Sequence, residues 1–187
     1  MKPVLLVAVF GLVLVPSALA EEHAYVGTKN CKKCHIKEWK SWSLTQMAKA
    51  HDSLLPGVAV DAKKSAGLDP EVDYTKDENC VKCHVTGFGK PGGFVDIEST
   101  PDLAGVGCES CHGPGGTYVQ DEHMSLKNKE YKKPDLVAVG LVDKISAAQC
   151  TSCHNSESPF VAEGYVFDFA AMQGKGTHEN FPLKYPH

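Results

Sequence analysis

Cys31-Lys32-Lys33-Cys34-His35, Cys80-Val81-Lys82-Cys83-His84, Cys108-Glu109-Ser110-Cys111-His112 and Cys150-Thr151-Ser152-Cys153-His154 decide how this chain folds. They contain all 8 cysteines of a 187-residue sequence with only 9 histidines, yet a His follows every pair at once. Cys-x-x-Cys-His is the attachment signature of c-type haem. Two thiols, one turn of chain apart, add to the two vinyl groups of one porphyrin as thioethers. The adjacent imidazole then lies beneath the ring as the proximal iron ligand. A zinc site would want paired Cys-x-x-Cys units without an obligate following His. Four disulfides would not need one either. The motifs therefore predict four covalently bound haem c groups. Cys31, Cys34, Cys80, Cys83, Cys108, Cys111, Cys150 and Cys153 hold the porphyrins, and His35, His84, His112 and His154 bind iron.

Working outward, the N-terminus reads as an export signal. Lys2 supplies the positive start, Val4 to Val15 form an apolar run too short to span a bilayer, and Ser17-Ala18-Leu19-Ala20 ends in a small-x-small cleavage pattern. Residues 1–20 are thus expected to be a cleaved signal peptide. Residues 21–187 then form a single tetrahaem domain, exported to the periplasm, with no transmembrane segment after cleavage. Lys+Arg number 19 against 23 Asp+Glu, a formal charge of −4, and all 19 bases are Lys. The acid balance and the missing guanidinium forks argue against a nucleic-acid partner. Net acidity, deepened by haem propionates, points instead to a lysine-lined redox partner.

Four haems on so short a chain leave about forty residues for each, too few for a conventional core. The expected fold is mainly α, with short helices and loops wrapped around four covalently attached haems. Glu38 to about Leu54 is the strongest helical stretch, free of Gly and Pro until Pro56. Ser146-Ala147-Ala148-Gln149 reads as a capping box opening a helix into Cys150, and Asp77 and Asn30 read as caps ahead of Cys80 and Cys31.

Trp42, Thr45, Lys49-Ala50, Ser53-Leu54, the run Cys83-His84-Val85-Thr86-Gly87-Phe88-Gly89, and above all Gly105-Val106-Gly107-Cys108-Glu109-Ser110-Cys111-His112-Gly113-Pro114-Gly115 resemble the tetrahaem cytochrome c-554 family of ammonia-oxidising bacteria. The resemblance runs from about Ala24 to Leu183. It implies a mainly helical periplasmic protein whose haems form parallel-stacked and perpendicular pairs, and which carries electrons away from hydroxylamine oxidation. It also implies distal ligands: His123 for the first haem, and His178, in Thr177-His178-Glu179, for the fourth. For the third haem the chain departs from the family. Met47 stands where the family has His, and His51 where it has Met. The two lie at i and i+4 on one helix face, so either could serve. His51 is preferred, because a bis-His site needs only a slide or tilt of the helix, whereas Met47 would raise the potential of that haem. The second haem, on His84, has no internal partner left, and in the family this haem is five-coordinate and open. His23 and His187, near the termini, are expected to be solvated, or to close the second haem of their own or a neighbouring molecule.

The leading functional reading is a periplasmic carrier between an electron donor and an electron acceptor protein, monomeric or weakly oligomeric, without a catalytic residue of its own. An enzyme reducing a small ligand such as nitric oxide at an open His84 haem is one alternative. A subunit of an extracellular haem filament, ligated across interfaces by His23 or His187, is the other.

Overall fold

A computed structural model describes residues 23–185. The expected signal peptide and His187 lie outside them. Among the described residues the chain forms α1 (Thr28–Lys32), α2 (Ile36–Trp42), α3 (Val60–Ser65), α4 (Glu78–His84), α5 (Cys108–His112), α6 (Lys133–Ala138), α7 (Ala147–Thr151) and α8 (Phe169–Met172), with 3₁₀ turns at Asp52–Leu54 and Pro101–Leu103. The only β pairing among them is an isolated antiparallel bridge between Val85 and Ala104. The longest helices have 7 residues. Helices this short do not stand alone in water, so tertiary contacts must hold them.

The local rules account for most helix ends. Asp77 caps α4, its carboxylate accepting from the Asn79 N–H at 2.9 Å. Ser146 and Gln149 form the capping box that opens α7. Asn30 does not cap: it lies inside α1, donating from its side-chain amide to the Val26 carbonyl at 2.6 Å, and Gly27 takes the cap position. The long helix expected over Glu38 to Leu54 is also cut short at Trp42. Hydroxyls compete with the ladder there. Ser43 Oγ donates to the Lys40 carbonyl at 2.8 Å and Thr45 Oγ1 to that of Trp42 at 2.7 Å. Three-residue turns follow, and the Met47 carbonyl is taken by the Val106 N–H at 2.8 Å.

That bond belongs to a dense seam joining the exit of the second motif to the entrance of the third. Thr86, two residues after His84, is 1% exposed. Its hydroxyl donates to the Gly105 carbonyl at 2.8 Å and accepts from the Gly107 N–H at 2.8 Å. Its backbone bonds Leu103 and Phe94. Gly105 sits at φ 81° beneath the Ala48 carbonyl, where a Cβ would come within 2.6 Å of the oxygen, so only glycine fits.

Most of the buried apolar side chains among the described residues cluster in one place. Leu54, Val81, Val85, Phe94 and Leu103 pack together, with Tyr25, Tyr74 and Phe88 against them. Residues 54–103 thus form a lobe with a small core around the second motif. Its buried Lys63 is satisfied by the Leu55 carbonyl at 2.6 Å and the face of Tyr74. Elsewhere large apolar side chains stand exposed, Val166 at 84% and Leu126 at 66%.

Candidate haem-attachment site

Each motif is a helical turn. α5 spans Cys108–His112 entire and α4 ends on His84. In the first and fourth motifs the His N–H bonds the carbonyl of the first Cys, His35 to Cys31 and His154 to Cys150, each at 2.9 Å. Cysteines at i and i+3 therefore share one helix face, and the His follows at i+4. That is the layout in which two thiols and one imidazole can approach the same porphyrin.

The third motif carries its own anchor, which sequence reasoning missed. Glu109 is 3% exposed and accepts the Val26 N–H at 3.0 Å, the Gly27 N–H at 2.8 Å and the Gly115 N–H at 2.7 Å. One carboxylate thereby ties the chain before α1 to the loop after α5. Tyr118, also buried, donates to the Gly113 carbonyl at 2.9 Å, and burial pushes its phenol up. Gly113 is at φ 80°, with the Gly140 carbonyl 2.4 Å from where a Cβ would stand.

The motifs come close enough that their thiols act on one another's ionisation. Cys31 of the first hydrogen-bonds Cys108 of the third, which pushes the Cys31 thiol up and the Cys108 thiol down. Cys83 of the second hydrogen-bonds Cys153 of the fourth. Burial first, then that neighbour, raises Cys83 to about 11. Cys111 of the third is raised by burial and then by Cys150 of the fourth, and Gln149 donates to the Cys111 carbonyl at 2.8 Å. Lys82 and Glu157 add an ion pair between the second and fourth motifs.

Two of the histidines are fixed through Nδ1. His84 donates from Nδ1 to the Ala50 carbonyl at 2.7 Å, and His178 from Nδ1 to that of Glu179 at 2.8 Å, which leaves Nε2 for iron in both. The Glu179 N–H is in turn fixed to Ser41 Oγ at 2.9 Å. The His112 and His178 rings lie 6.1 Å apart, centre to centre, and 28° from parallel. Two imidazoles on one metal stand close to this far apart: about 2 Å per metal–nitrogen bond and about 1 Å from each nitrogen to its ring centre. His178, expected beside the fourth motif, lies beside His112 of the third, where His51 or Met47 was expected. The ring beside His154, where His178 was expected, is that of Phe167, at 5.0 Å. His51 is 4% exposed, packs on Phe94 at 5.6 Å and has no hydrogen-bond partner at Nδ1. Met47 is half-buried. His23 is not a solvated terminal residue: its Nδ1 pairs with Thr117 Oγ1 at 2.7 Å, and its ring lies against Gly140.

A cavity of about 470 Å³ opens beside the first motif, lined by Cys34 and His35 on one side and by Met124, Tyr131, Phe181 and Tyr185 on others. Burial pushes the His35 imidazole down, toward the neutral form that binds metal. Mostly apolar walls with a thiol and an imidazole on one side suit a porphyrin. The donor set, the paired thiols and this cavity all fit c-type haem.

The family model "Cytochrome c554 and c-prime" matches residues 30–113, which hold the first three motifs. Cytochrome c-554 of Nitrosomonas europaea is 39% identical over 189 aligned positions, covering 89% of this chain and 80% of the relative. The chain belongs to the cytochrome c-554 family. The solved structure of the reduced state of cytochrome c554 from Nitrosomonas europaea superposes with a TM-score of 0.76, at 39% identity, over 88% of this chain and 89% of that one. As a member, the protein is an electron-transfer cytochrome with covalently bound c-type haem, built of helices and loops. No helix of the described residues is long and apolar enough to cross a membrane.

Proposed function

We propose that the cytochrome carries electrons between a donor and an acceptor protein in the periplasm through four haem c groups, one at each motif. The observation that carries this reading is how the motif-bearing segments are tied together: Glu109 of the third holds the chain entering the first, Gln149 beside the fourth bonds the Cys111 carbonyl of the third, and Lys82 of the second pairs with Glu157 just past the fourth. The motifs therefore follow one another in the order first, third, fourth, second. Haem supplies a one-electron iron couple. The chain's own residues do the rest. The thiols fix each ring covalently, Glu109 and Thr86 hold the third motif rigid between its neighbours, and Nδ1 bonds aim the imidazoles.

In this reading His112 and His178 would together hold the third iron. His123, next to the Met124 wall of the first cavity, serves the first. Met47 and His51 remain candidates, with His51 next in the chain to the Ala50 carbonyl that orients His84 of the second motif. The small-ligand reductase and the filament subunit gain no support: His23, one of the two residues a filament would use as a cross-ligand, is bonded to Thr117 of its own chain.

Replacing His178 tests the pairing. In low-temperature electron paramagnetic resonance of the oxidised His178→Ala protein, one low-spin haem is expected to become high-spin, with the haem content unchanged. Imidazole added to the buffer should restore the low-spin signal. A spectrum identical to that of the unaltered protein would remove His178 from the iron.

A further inference from the structure

The whole-chain charge of −4 is unevenly spread along the sequence. Residues 23–51, which carry the first motif, hold Lys29, Lys32, Lys33, Lys37, Lys40 and Lys49 against Glu38 alone. Residues 52–102, the lobe around the second motif, hold ten carboxylates against five lysines. These are separate regions. The acidic segment closes on its own apolar cluster, whereas the first motif faces the cavity built with residues 124–131 and 181–185. Lys33, Lys37 and Lys184, all exposed, line that cavity, with Glu38 its one acidic residue. More lysine is drawn to the rim by aromatic faces: Lys37 Nζ stands 5.8 Å from the Phe181 ring centre, and Lys129 and Lys184 Nζ each stand 5.4 Å from that of Tyr185. The ion pair of Lys29 with Asp102, at 2.9 Å, joins the two segments.

We infer that the two ends of the relay are electrostatically opposite docking surfaces: a redox protein with an acidic patch docks at the lysine-rimmed first-motif cavity, and one with a basic patch docks at the acidic second-motif lobe. The inference rests on the motif order proposed above, which puts the first and second motifs at the two ends. A uniformly acidic carrier would repel one class of partner everywhere. Two poles let it orient differently toward each, since charge complementarity governs encounter more than lifetime.

The test uses two small redox probes, anionic hexacyanoferrate and cationic hexaammineruthenium, reacting with the intact holoprotein in stopped flow. In the variant Lys37→Gln, Lys129→Gln, Lys184→Gln, the anionic probe should react about tenfold more slowly at low salt. The cationic probe should be unaffected. The difference should vanish near 1 M salt, where charges are screened within about 3 Å. The mirror variant Glu71→Gln, Glu78→Gln, Glu98→Gln should slow the cationic probe alone. Unchanged rates with both probes would overturn the inference. Equal changes with both, accompanied by a shifted haem potential, would overturn it too, by making the lysines counter-charges to haem propionates. Failure of the relay reading is read separately, as a chain that takes up fewer than four electrons whatever the probe.

Discussion

Synthesised without covalent haem attachment, the chain is expected to remain unfolded: no cooperative thermal transition by circular dichroism, and amide exchange near random-coil rates. The reason lies in where its apolar side chains go. The described residues bury Leu54, Val81, Val85, Phe94 and Leu103 in one cluster, with Tyr118 and Leu136 apart from it. Helices of at most 7 residues add little stability of their own. The elements that carry the motifs are tied to one another chiefly by polar groups, Glu109, Gln149 and Lys82, rather than by a shared apolar core. Removing a single attachment, as in Cys111→Ala, should have a graded form of the same effect, centred on the third motif and its neighbours. A compact apoprotein that melts cooperatively would show that the polypeptide supplies its own core.

Glu109→Ala should be the most damaging substitution outside the attachment residues themselves. The carboxylate satisfies three backbone N–H groups from two segments, and it is almost fully buried. Its loss strands those donors at roughly 1–3 kcal/mol each, so at least about 3 kcal/mol in all is expected for the holoprotein. For a chain of this size that lowers the melting temperature by roughly 10 °C. Glu109→Gln should rescue little, because its amide NH₂ would point a donor at the donors it must serve. Calorimetry of the two variants checks this. A Gln variant as stable as the parent would mean that the charge and its acceptor geometry are not what hold α1 to α5.

What could be read in the sequence was whatever depends on neighbours along the chain. The four Cys-x-x-Cys-His turns, the Ser146–Gln149 capping box and the Asp77 cap all rest on spacings of four residues or fewer. The break at Trp42 was hidden because a run free of Gly and Pro looks helical, while the Ser43 and Thr45 hydroxyls that end it are individually tolerated in helices. The neighbour of His112 is hidden for a different reason. His178 reaches it through the Glu179 bond to Ser41 on α2, a contact between segments far apart in sequence. Glu109 looked like one more polar residue inside a motif, since nothing local shows that three distant amides converge on it. His23 likewise looked terminal until Thr117 and Gly140 were found around it.

The claim at the centre is that one chain holds four one-electron centres in contact, arranged from the first motif through the third and fourth to the second. A coulometric reductive titration of the purified holoprotein addresses it directly. The account predicts that each chain takes up four electrons, with the optical change spread over several overlapping steps because neighbouring centres influence one another. Uptake of three electrons or fewer at complete reduction would contradict it, and would leave at least one of the four motifs without a working haem.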